Sequence, residues 1–94
     1  PAIDAIFFCN DDLAQGALLA SARLRIAVPK KVAIAGFNDL TGNDQMLPPL
    51  SSVRTPRAEI GTAAADMLLS LMHGSKPPRH AVDLGYELVI RAST

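Results

Sequence analysis

The chain has 94 residues, with nine Lys and Arg against nine Asp and Glu, and a single cysteine. This length suits one small domain. The balanced charge excludes a strongly basic surface that would bind nucleic acid or anionic lipid directly, and no apolar segment approaches the ~20 residues that span a bilayer. We therefore expect no membrane contact, and any contact with DNA must lie outside these residues.

Two apolar runs are followed by the same pair of polar residues. The run 5–9 ends at the Asn-Asp pair 10–11, and the run 32–37 ends at the Asn-Asp pair 38–39. Unbroken apolar runs of this length are typical of strands that are buried on both faces of a parallel sheet. Because parallel strands share one carboxyl edge, we expect both pairs on one rim, where open α/β sheets bind small polar ligands.

Between the two runs, apolar residues at three- and four-residue spacing predict a helix over residues 12–26, which completes a β-α-β unit. Its predicted core-facing stripe consists of Leu13, Ala17, Leu18, Ser21 and Leu24. The lone Cys9 cannot form an internal disulfide, which favours a reducing compartment, and its apolar surroundings predict a core position.

The second half begins with a long irregular loop over residues 40–49 and a short strand over 50–54. Thr55 and Pro56 then predict a helix start, with the hydroxyl as N-cap and the proline in the first turn. This helix is expected to run to His73, with its methionines in the core, and to stop at a left-handed Gly74. Residues 81–90 alternate as a strand, interrupted near Gly85. The elements predict an α/β fold with a parallel sheet.

No residues form a recognisable catalytic or metal-binding group. His73 and His80 lack partners at ligand spacing, and the serines include no G-x-S-x-G motif. Asp11 and Asp12 superficially resemble the Mg²⁺ site of phosphoacceptor domains, but the further ligands that such a site needs are missing. We therefore expect no enzyme, no cofactor and no metal.

Binding through hydrogen bonds is the remaining chemistry. Asn10 and Asn38 each offer donors and acceptors, which is what a sugar or polyol requires of its site. Helix capping and turn formation are the alternative roles for these residues.

Several segments resemble, in order and spacing, the C-terminal part of the effector-binding domain of the lactose/galactose-repressor (LacI/GalR) family of bacterial regulators. They are FCNDDLAQGA at residues 8–17, VP at 28–29, VAIAGFND at 32–39 and PLSSV at 49–53. TPR at 55–57 followed by IG at 60–61 is similar to the gluconate-repressor branch.

This resemblance implies a fold of the periplasmic-binding-protein type, in which two α/β subdomains enclose a sugar. Residues 1–94 would be part of the C-terminal subdomain, without the N-terminal subdomain and the helix-turn-helix that binds operator DNA. The implied effector contacts are Asn10, Asn38 and Thr55. Asp11 is assigned mainly to helix capping, and Asp39 to a cap or rim position.

The resemblance also implies a cytoplasmic homodimer, formed through the first helix and the loop after the second strand. Those places hold Gln15, Leu19, Met46 and Leu47. Apolar residues on a polar loop are consistent with an interface, and a loop folded back onto its own core is the alternative.

Three positions depart from the family pattern: Asn38 stands where many members have Asp, Arg25 where a helix-ending Gly is common, and Lys31 where an Asp is frequent. An amide at position 38 removes repulsion towards an anionic effector, which predicts a sugar acid such as gluconate. A sugar-binding protein of a transporter is the alternative function. A helix-turn-helix or a secretion signal before residue 1 would discriminate the two.

Overall fold

The computed structural model describes residues 2–76 and 79–94, which form two units. The first unit contains the described residues up to Arg54 together with 87–94, and the second is 55–86. The elements of the first unit are β1 (Ala5–Phe7), α1 (Asp11–Arg23), β2 (Ala33–Asn38), a 3-10 helix (Asn43–Gln45), β3 (Ser51–Arg54) and β4 (Glu87–Val89). The second unit contains α2 (Arg57–Met72). None of the described helices is long and apolar enough to cross a membrane.

The four strands of the first unit form one sheet in the order β1-β2-β3-β4. The first three are parallel, and β4 runs antiparallel to β3. The predicted α/β fold and its β-α-β unit are confirmed. The predicted strand over residues 81–90 is reduced to β4, which begins two residues after Gly85, a glycine with a left-handed φ of 78°.

The core of this unit lies between α1 and the sheet. Its buried hydrophobic residues are Ala14, Leu18, Ile34 and Leu50, with Phe8, Ala17, Val28, Val32 and Met46 packed partly against them. Full burial of each large aliphatic side chain is worth about 1.5–3 kcal/mol. The predicted stripe on α1 is half wrong, because Leu18 and Ser21 are buried whereas Leu13 and Leu24 are exposed. The helix instead turns Asp11 and Ala14 inward.

Strand β1 is not buried on both faces as predicted. Its three residues are all exposed, including Phe7 at 65%, and within the described sheet β1 pairs only with β2. The core position predicted for Cys9 is also wrong, since its thiol follows this strand and is exposed.

The segment 91–94 closes the seam between β2 and β3 through Ser93, which is fully buried. The Ser93 hydroxyl donates to the Ile34 carbonyl at 2.6 Å and accepts the Ser51 amide at 2.8 Å. The Ser93 carbonyl accepts the Ile34 amide at 2.9 Å. Ser93 therefore bonds to both β2 and β3 and links the two strands.

In the second unit, α2 begins without the predicted hydroxyl cap. Pro56 is the N-cap residue, no side chain caps the helix, and Thr55 contributes only its carbonyl, which accepts the Arg57 amide at 2.8 Å. The helix has no buried residue and Met72 is 70% exposed, so the core role predicted for its methionines is wrong.

The predicted left-handed stop of α2 is confirmed. Gly74 has a φ of 78°, its amide bonds to the Leu71 carbonyl at 3.1 Å, and the Ser75 amide bonds to the Ser70 carbonyl at 2.9 Å. These are the two hydrogen bonds of a Schellman helix end.

Candidate ligand-binding edge of the sheet

The two Asn-Asp pairs lie at the same carboxyl edge of the sheet, as predicted, because β1 and β2 are parallel neighbours. At the end of β1, Asn10 is the N-cap of α1, and its Oδ1 accepts the Leu13 amide at 2.9 Å. The capping role assigned to Asp11 is therefore wrong, because the residue before it already supplies the cap.

Asp11 is instead a fully buried carboxylate that joins three parts of the unit. Its Oδ2 accepts the Leu40 amide at 2.6 Å and Asn43 Nδ2 at 2.8 Å. Its Oδ1 accepts the Ser52 hydroxyl at 2.8 Å. Burial of a carboxylate is costly unless several donors satisfy it, and here the donors come from the loop after β2 and from β3. Asp11 thus holds both segments against α1.

Gly36 makes room for this carboxylate. A Cβ atom at position 36 would overlap Oδ1 of Asp11 and would lie 3.1 Å from the Cβ of Ala14. The close approach of α1 to β2 at the candidate site therefore requires glycine at this position.

At the end of β2, Asn38 and Asp39 both have left-handed backbone, with φ of 99° and 53°. Asn and Asp tolerate this region better than other residues with a Cβ. Two hydrogen bonds hold the turn: the Asp39 amide donates to the Ser52 hydroxyl at 3.0 Å, and the Leu40 amide donates to Asp11. Neighbouring elements thus hold the backbone that follows Asn38, which is half-buried.

The Asp39 carboxylate is held by two arginines. Its Oδ1 accepts Arg91 Nη1 at 2.8 Å, and its Oδ2 accepts Nε and Nη2 of Arg54, each at 2.8 Å. Asn43 adds a weaker bond of 3.3 Å. The hydrogen bond from Arg91, reinforced by Arg54, lowers the pKa of Asp39 to about 2. Asp39 is therefore a rim residue whose charge is already paired within the protein.

Sequence reasoning missed Ser52, Asn43, Arg54 and Arg91 as members of this edge. Asn43 has the sequence context of an ordinary turn, and Arg91 lies 52 positions from its partner Asp39. The one available signal was the strand over residues 50–54, which ends at the same edge and carries both Ser52 and Arg54.

The residues predicted for a dimer interface occupy different environments. Leu19 and Leu47 are exposed, the latter at 86%, whereas Met46 packs partly against the core. Gln15 is half-buried, and its Nε2 donates to Asn43 Oδ1 at 2.7 Å. Met46 thus follows the alternative of a loop folded back onto its own core.

Thr55 starts the second unit, and its role as an effector contact stays a prediction.

Comparison with known proteins gives the family. The family model of the periplasmic binding protein-like domain matches residues 1–94. The chain is 53% identical over 94 residues to the HTH-type transcriptional regulator GntR of Pseudomonas aeruginosa, covering 100% of this chain and 27% of that protein. It therefore spans about a quarter of the length of this curated relative.

Two crystal structures have the same fold. The transcription regulator GntR from Chromobacterium violaceum superposes with a TM-score of 0.86 at 53% identity, covering 96% of this chain and 33% of that one. A LacI family transcriptional regulator from Lactobacillus casei with bound sucrose gives a TM-score of 0.82 at 27% identity, covering 97% and 33%. The chain belongs to the family of periplasmic binding protein-like domains, in the form found in LacI-family transcriptional regulators.

Proposed function

We propose that the chain is the effector-sensing part of a bacterial transcriptional repressor, which binds a sugar or sugar acid and acts on operator DNA through a separate domain. The observation that carries this proposal is that Asn10 and Asn38 follow neighbouring parallel strands and lie at the same carboxyl edge of the sheet. The names of the relatives and the sucrose bound to the Lactobacillus casei regulator support it.

The proposed contacts are Asn10, Asn38 and Thr55. Because Oδ1 of Asn10 caps α1, its Nδ2 group is the one that would donate to a hydroxyl or carboxylate of the effector. The charge of Asp39 is paired with Arg54 and Arg91, so this residue contributes little repulsion towards an anion. The edge is therefore compatible with an acidic ligand.

We favour a sugar acid such as gluconate over a neutral hexose. The neutral amide of Asn38 presents no negative charge to a carboxylate, and the close relatives bear the name GntR. An Asp at this position would repel an anionic effector at contact distance by an amount that depends on its exposure to water.

Calorimetric titration of the intact protein with gluconate, glucose and galactose tests this assignment. We expect gluconate to bind more tightly than either hexose. Replacement Asn38→Asp should weaken gluconate binding by about tenfold or more, equivalent to ~1.4 kcal/mol, and should change hexose binding less. A clear preference of the wild-type protein for a neutral sugar would refute the sugar-acid assignment.

Regulation would follow from a population shift. An effector that binds one arrangement of the two subdomains more tightly favours that arrangement and changes how a homodimer presents its DNA-binding domains to the operator.

The exposed Leu19 and Leu47 are the proposed dimer contacts. A cytoplasmic regulator accords with the names of the relatives, which favour it over a transporter protein. Loss of operator retardation on gels upon addition of gluconate would support induction.

A further inference from the structure

A single hydroxyl group links the ends of β1 and β2. Ser52 Oγ donates to Asp11 Oδ1 at 2.8 Å and accepts the Asp39 amide at 3.0 Å. All three residues are within the first unit, and Ser52 is buried. We refer to this arrangement as the Asp11–Ser52–Asp39 bridge.

Each end of the bridge is adjacent to a proposed effector contact. Asp11 follows Asn10 at the start of α1, and Asp39 follows Asn38 in the left-handed turn. The two contacts themselves belong to different elements, and no hydrogen bond between their side chains is needed if their neighbours are joined. The bridge therefore links the backbone segments that carry Asn10 and Asn38.

The turn at Asn38 needs such support. Two consecutive residues with a Cβ in the left-handed region are unfavourable unless surrounding bonds hold them. Ser52 bonds to the backbone of this turn directly and, through Asp11, also reaches the Leu40 amide at its far side. Loss of the hydroxyl would free one amide and remove one of the donors that hold the Asp11 carboxylate.

We propose that Ser52 is a positioning residue for effector binding: it joins the pairs 10–11 and 38–39 into one rigid recognition element. This inference rests on the proposed function. Rigid placement of two contacts lowers the ordering cost of binding, whereas a loosened edge reduces the fraction of molecules that are competent to bind and raises the apparent Kd by that factor.

The experiment compares Ser52→Ala with Ser93→Ala in the intact protein. Both serines are buried, and each hydroxyl donates one hydrogen bond and accepts one backbone amide. Only Ser52 lies in the bridge. Calorimetry should show gluconate binding weakened by about tenfold in Ser52→Ala, if about a tenth of the molecules stay competent, and by less than about twofold in Ser93→Ala. Ser52→Thr, which keeps the hydroxyl, should restore most of the affinity.

Hydrogen exchange of the ligand-free protein supplies a second measurement that needs no effector. The Leu40 amide bonds to Asp11 and not to Ser52, so it reports on the bridge indirectly. Exchange in peptides covering residues 40–44 should accelerate in Ser52→Ala and remain unchanged in Ser93→Ala. Equal effects of the two variants on affinity or on exchange would overturn the positioning role. If no sugar or sugar acid binds the wild type, the proposed function fails, while the exchange data still decide whether the bridge orders the edge.

Discussion

Position 36 requires glycine, because a Cβ there would overlap the Asp11 carboxylate. Gly36→Ala must push a buried, hydrogen-bonded carboxylate away from its donors or separate α1 from β2. We expect the free energy of unfolding to fall by about 2–3 kcal/mol in urea denaturation, from overpacking together with weakened hydrogen bonds.

Gly16→Ala is the matched control for Gly36→Ala. Gly16 lies within α1, and a Cβ there would meet no atom within 4 Å. Since Ala is a better helix former than Gly, this variant should gain about 0.5–1 kcal/mol. Similar losses in both variants would contradict the steric explanation at Gly36.

The Asp39 carboxylate makes the stability depend on acidic pH. Its pKa in the folded protein is about 2, below the usual 3.8, because Arg91 and Arg54 bind the ionised form. The resulting stabilisation is fully present above about pH 4 and is lost as the pH falls towards 2, since the unfolded chain binds the proton first. Its size should be on the order of 1 kcal/mol, given the partial exposure of Arg54.

Urea unfolding of Asp39→Asn at pH 7 and at pH 2.5 measures this contribution. The variant should be less stable than the wild type at pH 7, and the difference should shrink at pH 2.5. Asp44→Asn, at an exposed position of the same loop, is the control for the loss of a carboxylate. A difference for Asp39→Asn that is independent of pH would argue against the ion pairs as its source.

At the scale of elements, α1 ends in a Schellman arrangement with an arginine in the left-handed position. Arg25 has a φ of 57°, its amide bonds to the Ala22 carbonyl at 3.3 Å, and the Ile26 amide bonds to the Ser21 carbonyl at 2.8 Å. Because a side chain is unfavourable in this region, Arg25→Gly should stabilise the protein by up to about 1 kcal/mol.

Thermal unfolding of Arg25→Gly and Arg23→Gly separates this local effect from the loss of a positive charge. Arg23 is the last residue of α1, where glycine should cost about 0.5–1 kcal/mol. Opposite signs for the two variants are the expected result. A loss of stability in both would show that the left-handed geometry carries no strain.

Local sequence signals predicted the elements well where a boundary is marked by a single residue, as at Gly74, and where an unbroken apolar run covers a strand, as in β2. They failed where burial depends on distant partners. Asp11 has the sequence context of a helix cap, and only the approach of Leu40, Asn43 and Ser52 makes it a buried anchor. The edge of the sheet was predictable from the two Asn-Asp pairs, whereas the ion pair of Asp39 with Arg91 joins residues too far apart in sequence to form a pattern.

At the scale of the whole molecule, the exposed leucines on α1 and on the loop after β2 predict a homodimer. Leu47 is a better test than Met46, because a charge at Met46 would also disturb the core against which that side chain packs. We expect Leu47→Lys to shift the intact protein towards monomer in sedimentation velocity, since it places an unpaired charge in an apolar contact. Ile90→Lys, at a position that is 72% exposed, should leave the dimer intact. A wild-type dimer that persists in Leu47→Lys would reject Leu47 as an interface residue.

The position of Ser93 between β2 and β3 also has a consequence for the order of events during synthesis on the ribosome. Ile34 and Ser51 leave the exit tunnel long before Ser93, which is 59 residues beyond Ile34. Until then, Ser93 cannot bond to Ile34 and Ser51, and Arg91 cannot pair with Asp39. Contacts of such long range slow folding, because a large loop must close before they form. The nascent chain therefore acquires the bonds of Ser93 to β2 and β3, and the ion pair of Asp39 with Arg91 at the candidate edge, only when residues 91–93 have emerged.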